Sequence, residues 1–353
     1  MTIEFYKEFG PLGYLANYSN HGFTKNGIFY KTVEHYYQSE KFLSEEIKKQ
    51  IINAETPKIA SNIGRDRNNI RKPDFKAIKN EVMYEGILEK FRQNRDIAYK
   101  LIATRNHDIA EATIDEYYWG IGKTKKGENH IGKILVKVRE QIKKEILEKI
   151  IKKAQESDIV YIIGHPNPDA DAIFSSYLLC DIMKFLGVNA KFAILSEACE
   201  YNKFDAKLIE DYLPVSPIKI KKQEIKQNAK FILVDHNNIG SLEKTQILGA
   251  IDHHQVTEEI YDTITIEYAS TGLLIYDLFK NIYNFTSEEI NLIALTCLAD
   301  TEYLESTRYK KEDEELLNTL NHTIDVETSQ QKYFVTNDFT LSIADNLQTR
   351  MKN

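Results

Sequence analysis

The sequence predicts an α/β protein in two parts: a mainly helical α+β first part, then a doubly wound α/β second part with a mostly parallel sheet. Three observations support this. Apolar runs alternate with helical stretches beyond residue 157, the signature of successive β-α-β units. Polar motifs rich in Asp and His follow several of these runs, as ligand-bearing loops do at the carboxyl ends of parallel strands. The first part carries a hairpin signal and capped helix starts instead.

Taken in order, Asn26-Gly27 reads as a hairpin turn and residues 28–31 as a short strand. Thr32 is a helix cap that opens a helix over residues 33–42, and Thr56-Pro57 starts another. Ile134, Leu135, Val138, Ile142, Ile146, Leu147, Ile150 and Ile151 recur at three- and four-residue steps, with Lys, Arg and Glu between them, which makes one amphipathic helix. We place the domain boundary on it: a first domain over residues 1–145, a linker helix over 146–156 and a second domain over 157–353. Beyond the boundary, residues 159–163 read as a strand, 172–186 as a helix, 192–195 as a strand and 205–212 as a helix. Strand-like runs follow at 231–234 and 250–251, then helices at 270–281 and 287–298.

The 353 residues suffice for two cores, and 42% hydrophobic with 28% charged residues is the balance of a soluble globular protein. A net charge of −7 argues against general nucleic-acid binding, which relies on a positive surface. Cys180, Cys199 and Cys297 are widely spaced and odd in number, without a C-x-x-C, so reduced thiols are expected. The first five residues carry neither a basic start nor an apolar core, and no run approaches a membrane span, so a cytoplasmic location with no membrane partner is expected.

Four motifs in the second part carry metal chemistry: His165-Pro166-Asn167-Pro168-Asp169-Ala170-Asp171, Asp235-His236-Asn237, Asp252-His253-His254 and Asp300-Thr301. Each follows an apolar run, and a strand end is expected for each. Carboxylate oxygens and imidazole nitrogens converging from separate strand ends can hold two divalent cations. His165 and Asp169 can close on one ion while Asp171 reaches a second; Asp235 and Asp300 are then shared or bridging ligands. His253 binds the second ion, and His254 faces substrate phosphate or the nucleophilic water. A single such motif is weak evidence in an acidic chain, and a lone His-His pair is more often a hydrogen-bonded pair; four in order are not.

These residues resemble the DHH phosphoesterase superfamily, and the Asn167-Pro168-Asp169-Ala170-Asp171-Ala172-Ile173 string with Val234-Asp235-His236-Asn237 is most similar to its manganese-dependent inorganic pyrophosphatase branch. The resemblance implies His165, Asp169, Asp171, Asp235, His253 and Asp300 as ligands of two Mn²⁺ ions, or Mg²⁺, with His254 near the substrate. It also implies a second, phosphate-clamping domain, and the sequence reaches Asn353 about where that domain would begin. A homodimer or a separate clamping partner is the expected substitute.

In the first part, Glu34, Gln38 and Lys41 share a helix face, which taken alone is more often a surface ion-pair stripe than a site. The wider pattern resembles the NADAR or YbiA-like family, which acts on N-glycosidic bonds of ribosylated bases. The resemblance rests on Asp115-Glu116-Tyr117-Tyr118-Trp119-Gly120-Ile121-Gly122, Gly127-Glu128-Asn129-His130-Ile131-Gly132, Ile63-Gly64-Arg65 and Lys90-Phe91-Arg92-Gln93-Asn94, with Ala16 where the family usually has Ser beside Asn17.

Breaking a ribose C–N bond develops positive charge at C1, so it needs a nearby carboxylate, a donor for the departing base and a flat surface for the ring. Glu34 or Asp115 can supply the carboxylate, and Lys41 can position the ribose or attack C1. Trp119 can stack on the base, Gly120 and Gly122 let backbone N–H groups approach a phosphate, and Asn17 and Asn129 complete the expected substrate contacts. His35 is expected to be a satisfied core histidine. A bifunctional hydrolase of nucleotide-like small molecules is therefore expected, against two rivals: a nucleotide or ADP-ribose sensor without turnover, and a phosphodiesterase for oligonucleotides or cyclic dinucleotides.

Overall fold

A computed structural model describes residues 2–195, 201, 205–238, 240, 242–256 and 262–333. Cys199 and the segment beyond residue 333 lie outside the described residues. The chain divides into two compact units, 1–149 and 150–353.

The first unit is built on helices. Two short sheets accompany them: β1 (Thr2–Phe5) pairs in parallel with β4 (Asp108–Glu111), and β2 (Phe23–Lys25) forms an antiparallel hairpin with β3 (Ile28–Tyr30). Asn26 and Gly27 both adopt positive φ, 52° and 78°, as a two-residue hairpin turn requires. Thr32 caps α1 (Val33–Ser39) by accepting from His35 N. The helices α2 (Glu45–Ile52) and α3 (Pro57–Arg65) follow, capped by Ser44 and Thr56, with Pro57 in the first turn where its missing N–H costs nothing. The unit continues with α4 (Phe75–Gln93) and α5 (Arg95–Ile102). Buried Lys90 on α4 donates to the carbonyls of Tyr14 and Ala16 and pins the loop that carries Asn17.

The predicted amphipathic stretch is the single long helix α6 (His130–Gln155), which runs through the boundary between the units. Within the second unit its Ile150 fits against β9 (Ile247–Asp252), where Gly249 leaves no Cβ in the way.

The second unit holds a six-stranded, all-parallel sheet in the order β10-β9-β8-β5-β6-β7. Its strands are β5 (Val160–Ile163), β6 (Ala190–Leu195), β7 (Ile218–Ile220), β8 (Lys230–Val234), β9 and β10 (Asp262–Thr265). The chain winds outwards from β5 to β7, returns to β8 beside β5, and winds the other way to β10. This doubly wound order puts a topological switch point between β5 and β8, where loops diverge and open a crevice at the strand ends. The helices α7 (Ala170–Phe185), α9 (Thr271–Phe279) and α10 (Ser287–Asp300) pack on one another, and α8 (Ala206–Tyr212) packs on α7. Two short helices close the described chain, α11 (Lys311–Leu317) and α12 (Val326–Tyr333). Phe231, Leu233, Ile163 and Ala250 form the core around the switch point. Cys180 and Cys297 are buried free thiols. No helix among the described residues is long and apolar enough to cross a membrane.

Candidate metal centre and candidate active-site cavity

The loop after β5 carries His165, Asp169 as the cap of α7 and Asp171 in its first turn. Asp169 Oδ1 accepts from Ala172 N at 3.0 Å, which leaves Oδ2 3.4 Å from His165 Nε2. Asp235 follows β8 in the left-handed region, φ 62°, an uncommon conformation for a residue with a Cβ and one that collects at functional sites. Its Oδ2 lies 3.6 Å from His165 Nε2 and its Oδ1 lies 3.3 Å from His253 Nε2. Asp171 Oδ2 and Asp300 Oδ2 stand 3.9 and 3.8 Å from the same His253 nitrogen. All six predicted ligands thus converge on one crevice. Asp235 stands between two groups, His165 with Asp169 on one side and His253 with Asp171 and Asp300 on the other. Asp300 departs from expectation in two respects. It ends α10, the helix read over residues 287–298, rather than the strand expected before each motif, and it faces one group rather than both.

Residues outside the predicted set fix the donors. His165 Nδ1 lies 3.1 Å from Pro166 O and His253 Nδ1 lies 2.9 Å from Tyr268 O. A carbonyl only accepts, so Nδ1 carries the proton and Nε2 is the nitrogen turned to the carboxylates. Asp171 takes Thr271 N (2.7 Å) and Gly272 N (3.1 Å) from the amino end of α9, with Ser175 Oγ at 2.7 Å. The Thr271 hydroxyl donates to Asp235 Oδ1 at 2.8 Å. Buried Asp252 accepts from His254 N and Nδ1 and from Asn237 Nδ2, and so orients the half-exposed His254 ring. Arg308 Nη1 lies 3.5 Å from Asp300 Oδ2.

Burial and the neighbouring Asp235 charge push the Asp171 carboxyl up, and burial does the same to Asp300. Burial pulls the His165 imidazole down, but Asp169 and Asp235 outweigh it and hold it up at about 10. The crevice therefore has more negative charge than its own groups can balance. His253 Nε2 and Asp300 Oδ2 are moreover buried without a hydrogen-bond partner. Mixed imidazole and carboxylate donors with two such orphaned atoms fit divalent cations.

In the first unit a cavity of about 1590 Å³ is lined by Asn17, Glu34, Lys41 and Trp119 among others. Glu34 and Gln38 come from α1, and Gln38 Nε2 donates to Glu34 Oε1 at 2.6 Å. Gln38 fits because Gly64 faces it; a Cβ there would collide with Gln38 Oε1. Burial pushes the Glu34 carboxyl up, while Gln38, Ser61, Lys41 and Arg65 pull it back. Burial lowers the Lys41 amine to about 8 against the attraction of Glu34. Its Nζ lies 5.1 Å from the centre of the Tyr37 ring, which meets Trp119 edge-on at 5.6 Å. Asn17 Oδ1 is buried without a partner, and His35 is a satisfied core residue between Thr32 Oγ1 and Ala54 O.

Four predicted residues do not line this cavity. Asp115 is exposed, whereas its neighbour Glu116 lines the wall and accepts from Tyr118 N and Trp119 N at 3.2 Å each. The Asn129 amide is taken up by the backbone of β4, accepting from Glu111 N and donating to Ile109 O. Gly120 packs on the Glu111 carbonyl, and Gly122, at φ 63°, turns beneath the Tyr117 ring. Both glycines therefore serve the turn rather than an approach to phosphate. A wall residue outside the prediction is Glu111, whose Oε1 accepts from Thr113 Oγ1 at 3.2 Å and whose Oε2 is buried without a partner. Burial, with the charges of Glu116 and Glu34, raises this carboxyl to about 7. The signal for it was strand alternation, which sets Glu111 on the same side of β4 as buried Ile109.

Both parts of the chain are similar to known proteins. Residues 4–143 match the NADAR domain and residues 159–300 the N-terminal domain of the DHH family. An N-glycosidase of Nostoc punctiforme is 38% identical over 146 residues, 40% of this chain and 94% of that protein. A riboflavin biosynthesis protein of Vibrio vulnificus is 33% identical over 140 residues, 40% of this chain and 38% of that protein. An exopolyphosphatase-related protein from Bacteroides fragilis is similar in structure, with 19% identity, a TM-score of 0.43, and coverage of 56% of this chain and 62% of that one. The chain belongs to the NADAR family through residues 4–143, and its residues 159–300 match the N-terminal domain of the DHH family.

Proposed function

We propose that the chain is a bifunctional cytoplasmic hydrolase that cleaves the N-glycosidic bond of a ribosylated base in its first unit and a phosphoester or pyrophosphate bond in its second. The observation that carries the second activity is the position of Asp235, whose two carboxylate oxygens face two separate donor groups. His165, Asp169 and Asp235 would hold one Mn²⁺ or Mg²⁺, and Asp171, Asp235, His253 and Asp300 the other. Bound there, such cations supply an activated water and neutralise phosphate charge. His254, which Asp252 and burial act on in opposite senses with a net rise in its pKa, faces the substrate as a donor. Arg308, an exposed guanidinium beside Asp300, supplies a cation for the far phosphate from within this unit.

In the first unit Glu34 faces the charge that develops at C1. With its amine at about 8, Lys41 is largely ammonium at neutral pH, so it favours ionised Glu34 and donates to ribose hydroxyls rather than attacking C1. Trp119 and Tyr37 form the wall against which the base lies. The likeness to a riboflavin biosynthesis protein supports a phosphorylated ribosylaminopyrimidine as substrate; ADP-ribose on guanine has the same C–N bond.

The test is a turnover assay on purified full-length protein with metal analysis. A ribosylaminopyrimidine 5′-phosphate should lose its base, and pyrophosphate or a dinucleotide should be cleaved only with Mn²⁺ or Mg²⁺ present. Binding of these compounds without turnover would instead make the chain a nucleotide sensor. Preference for the dinucleotide over pyrophosphate would make the second unit a phosphodiesterase.

A further inference from the structure

Two carboxyls, buried Glu34 and half-buried Glu111, share the wall of the first-unit cavity, and their surroundings differ. Burial raises both carboxyls, but at Glu34 it is opposed by Gln38 Nε2 at 2.6 Å, by Ser61 and by the charges of Lys41 and Arg65, all of which favour the anion. Glu111 has only the Thr113 hydroxyl, and that is directed to Oε1. Its other oxygen, Oε2, is out of contact with water and has no partner, a state that an anionic oxygen tolerates poorly and a protonated one better. The backbone beneath is held on both sides: Asn129 Oδ1 accepts from Glu111 N at 3.1 Å, and Ile121 N donates to Glu111 O at 2.8 Å. The backbone that carries this carboxyl is thus fixed, and one carboxyl oxygen has a single hydroxyl partner.

We propose that Glu111 is the general acid of the glycosidic reaction, its carboxyl giving a proton to the nitrogen of the departing base while Glu34 remains the anion that faces C1. This rests on the N-glycosidase reading of the cavity. The C1–N bond breaks with its electron pair going to nitrogen, and that nitrogen takes the Glu111 proton. Water then adds to C1 and gives a proton to the Glu111 carboxylate just formed, which restores the acid. Environments that push two carboxyls apart divide the roles of acid and charge stabiliser in this way. The other charged groups that act on Glu111 are Glu116 and Glu34, and both favour its protonated form; burial adds to them and sets the carboxyl near 7.

The experiment compares Glu111→Gln and Glu111→Asp with wild type, all as the full chain, on two probes. One is a ribosylaminopyrimidine 5′-phosphate, whose base must be protonated to leave. The other is nicotinamide riboside 5′-phosphate, whose cationic base leaves as a neutral molecule. Glu111→Gln should lower kcat on the first about 100-fold with KM within a few-fold, and the loss should shrink to a few-fold on the second. Glu111→Asp, which keeps an acid, should fall between. Unchanged thermal midpoints and metal content of the second unit confirm folding. Equal losses on both probes, or no loss while Glu34→Gln is inactive, would overturn the assignment and leave the cavity reading intact. Wild type inactive on both probes would overturn the cavity reading and this inference with it.

Discussion

Replacing Asp235 by Asn should remove one metal position and spare the other. Asp235 is almost fully buried, and its oxygens divide the crevice between His165 at 3.6 Å and His253 at 3.3 Å. An amide keeps the shape but has only one oxygen. The Thr271 hydroxyl donates to Oδ1 at 2.8 Å and needs an acceptor, so the amide oxygen takes that place and the NH₂ group turns towards His165. The His165–Asp169 position then loses a charged ligand, while the His253 position keeps an oxygen. Changes to supporting partners of metal ligands alone cost about 10–100-fold in affinity, so losing a direct ligand should cost at least about 100-fold, roughly 2.7 kcal/mol. Metal content after desalting, read by mass spectrometry, should fall from near two ions per chain to near one. A His253→Ala, Asp235→Asn double variant should hold none. Two ions retained in Asp235→Asn would remove Asp235 from the centre. Loss of the ion at His253 with the one at His165 kept would refute the role assigned to Thr271.

Three further outcomes follow from the same geometry. Asp115→Asn should leave base release unchanged, because that side chain is exposed, whereas Glu116→Gln should lower it by removing a wall carboxylate; equal effects would show that both lie outside the site. Base release should decline as pH rises from 7 to 9. Glu111 loses its proton near 7 and Lys41 near 8, so Glu111→Gln should erase the lower step and leave the upper one, while borohydride trapping of a covalent sugar adduct would instead make the Lys41 amine a nucleophile. Arg308→Ala should raise KM for a phosphoester about tenfold with kcat and metal content little changed, and Arg308→Lys should recover part of the loss; an altered metal content with unchanged KM would make Arg308 only a counter-charge to Asp300.

The candidate metal centre was legible because strand and motif adjoin in the sequence. Buried parallel strands such as Phe231–Val234 read as unbroken apolar runs, and the polar residue after each falls at the crevice. The same logic set Asp300 at a strand end although residues 287–298 read as a helix, because Leu292-Ile293-Ala294-Leu295-Thr296-Cys297-Leu298 is just as unbroken; the helix reading is the one that α10 matches. The strands of this sheet that went unread, β7 and β10, are its two edges and among its shortest members, with Lys219 in one and Asp262 in the other. In the first unit Asp115 and Glu116 could not be separated, since a turn has no period to say which of two adjacent carboxylates faces inwards.

What the sequence conceals in both sites is the identity of the donors. Thr271 N, which holds Asp171, lies 100 positions away, and the Thr271 hydroxyl reaches Asp235 across 36. Counting carboxylates in a motif therefore says little about their charge. In the second unit four of them crowd around imidazoles with Arg308 at one margin, and the excess negative charge calls for cations. In the first unit, Gln38, Lys41 and Arg65 act on Glu34 to favour its anion, whereas Glu116 and Glu34 act on Glu111 to favour its protonated form, so one side chain type meets opposite surroundings in a single cavity. The substitution that would exchange these environments is more informative than deletion of either carboxyl. Thr113→Lys, placing an ammonium beside Glu111, should lower the carboxyl's affinity for its proton and move the step of base release near 7 to lower pH. An unmoved step would mean that the group titrating near 7 is not Glu111.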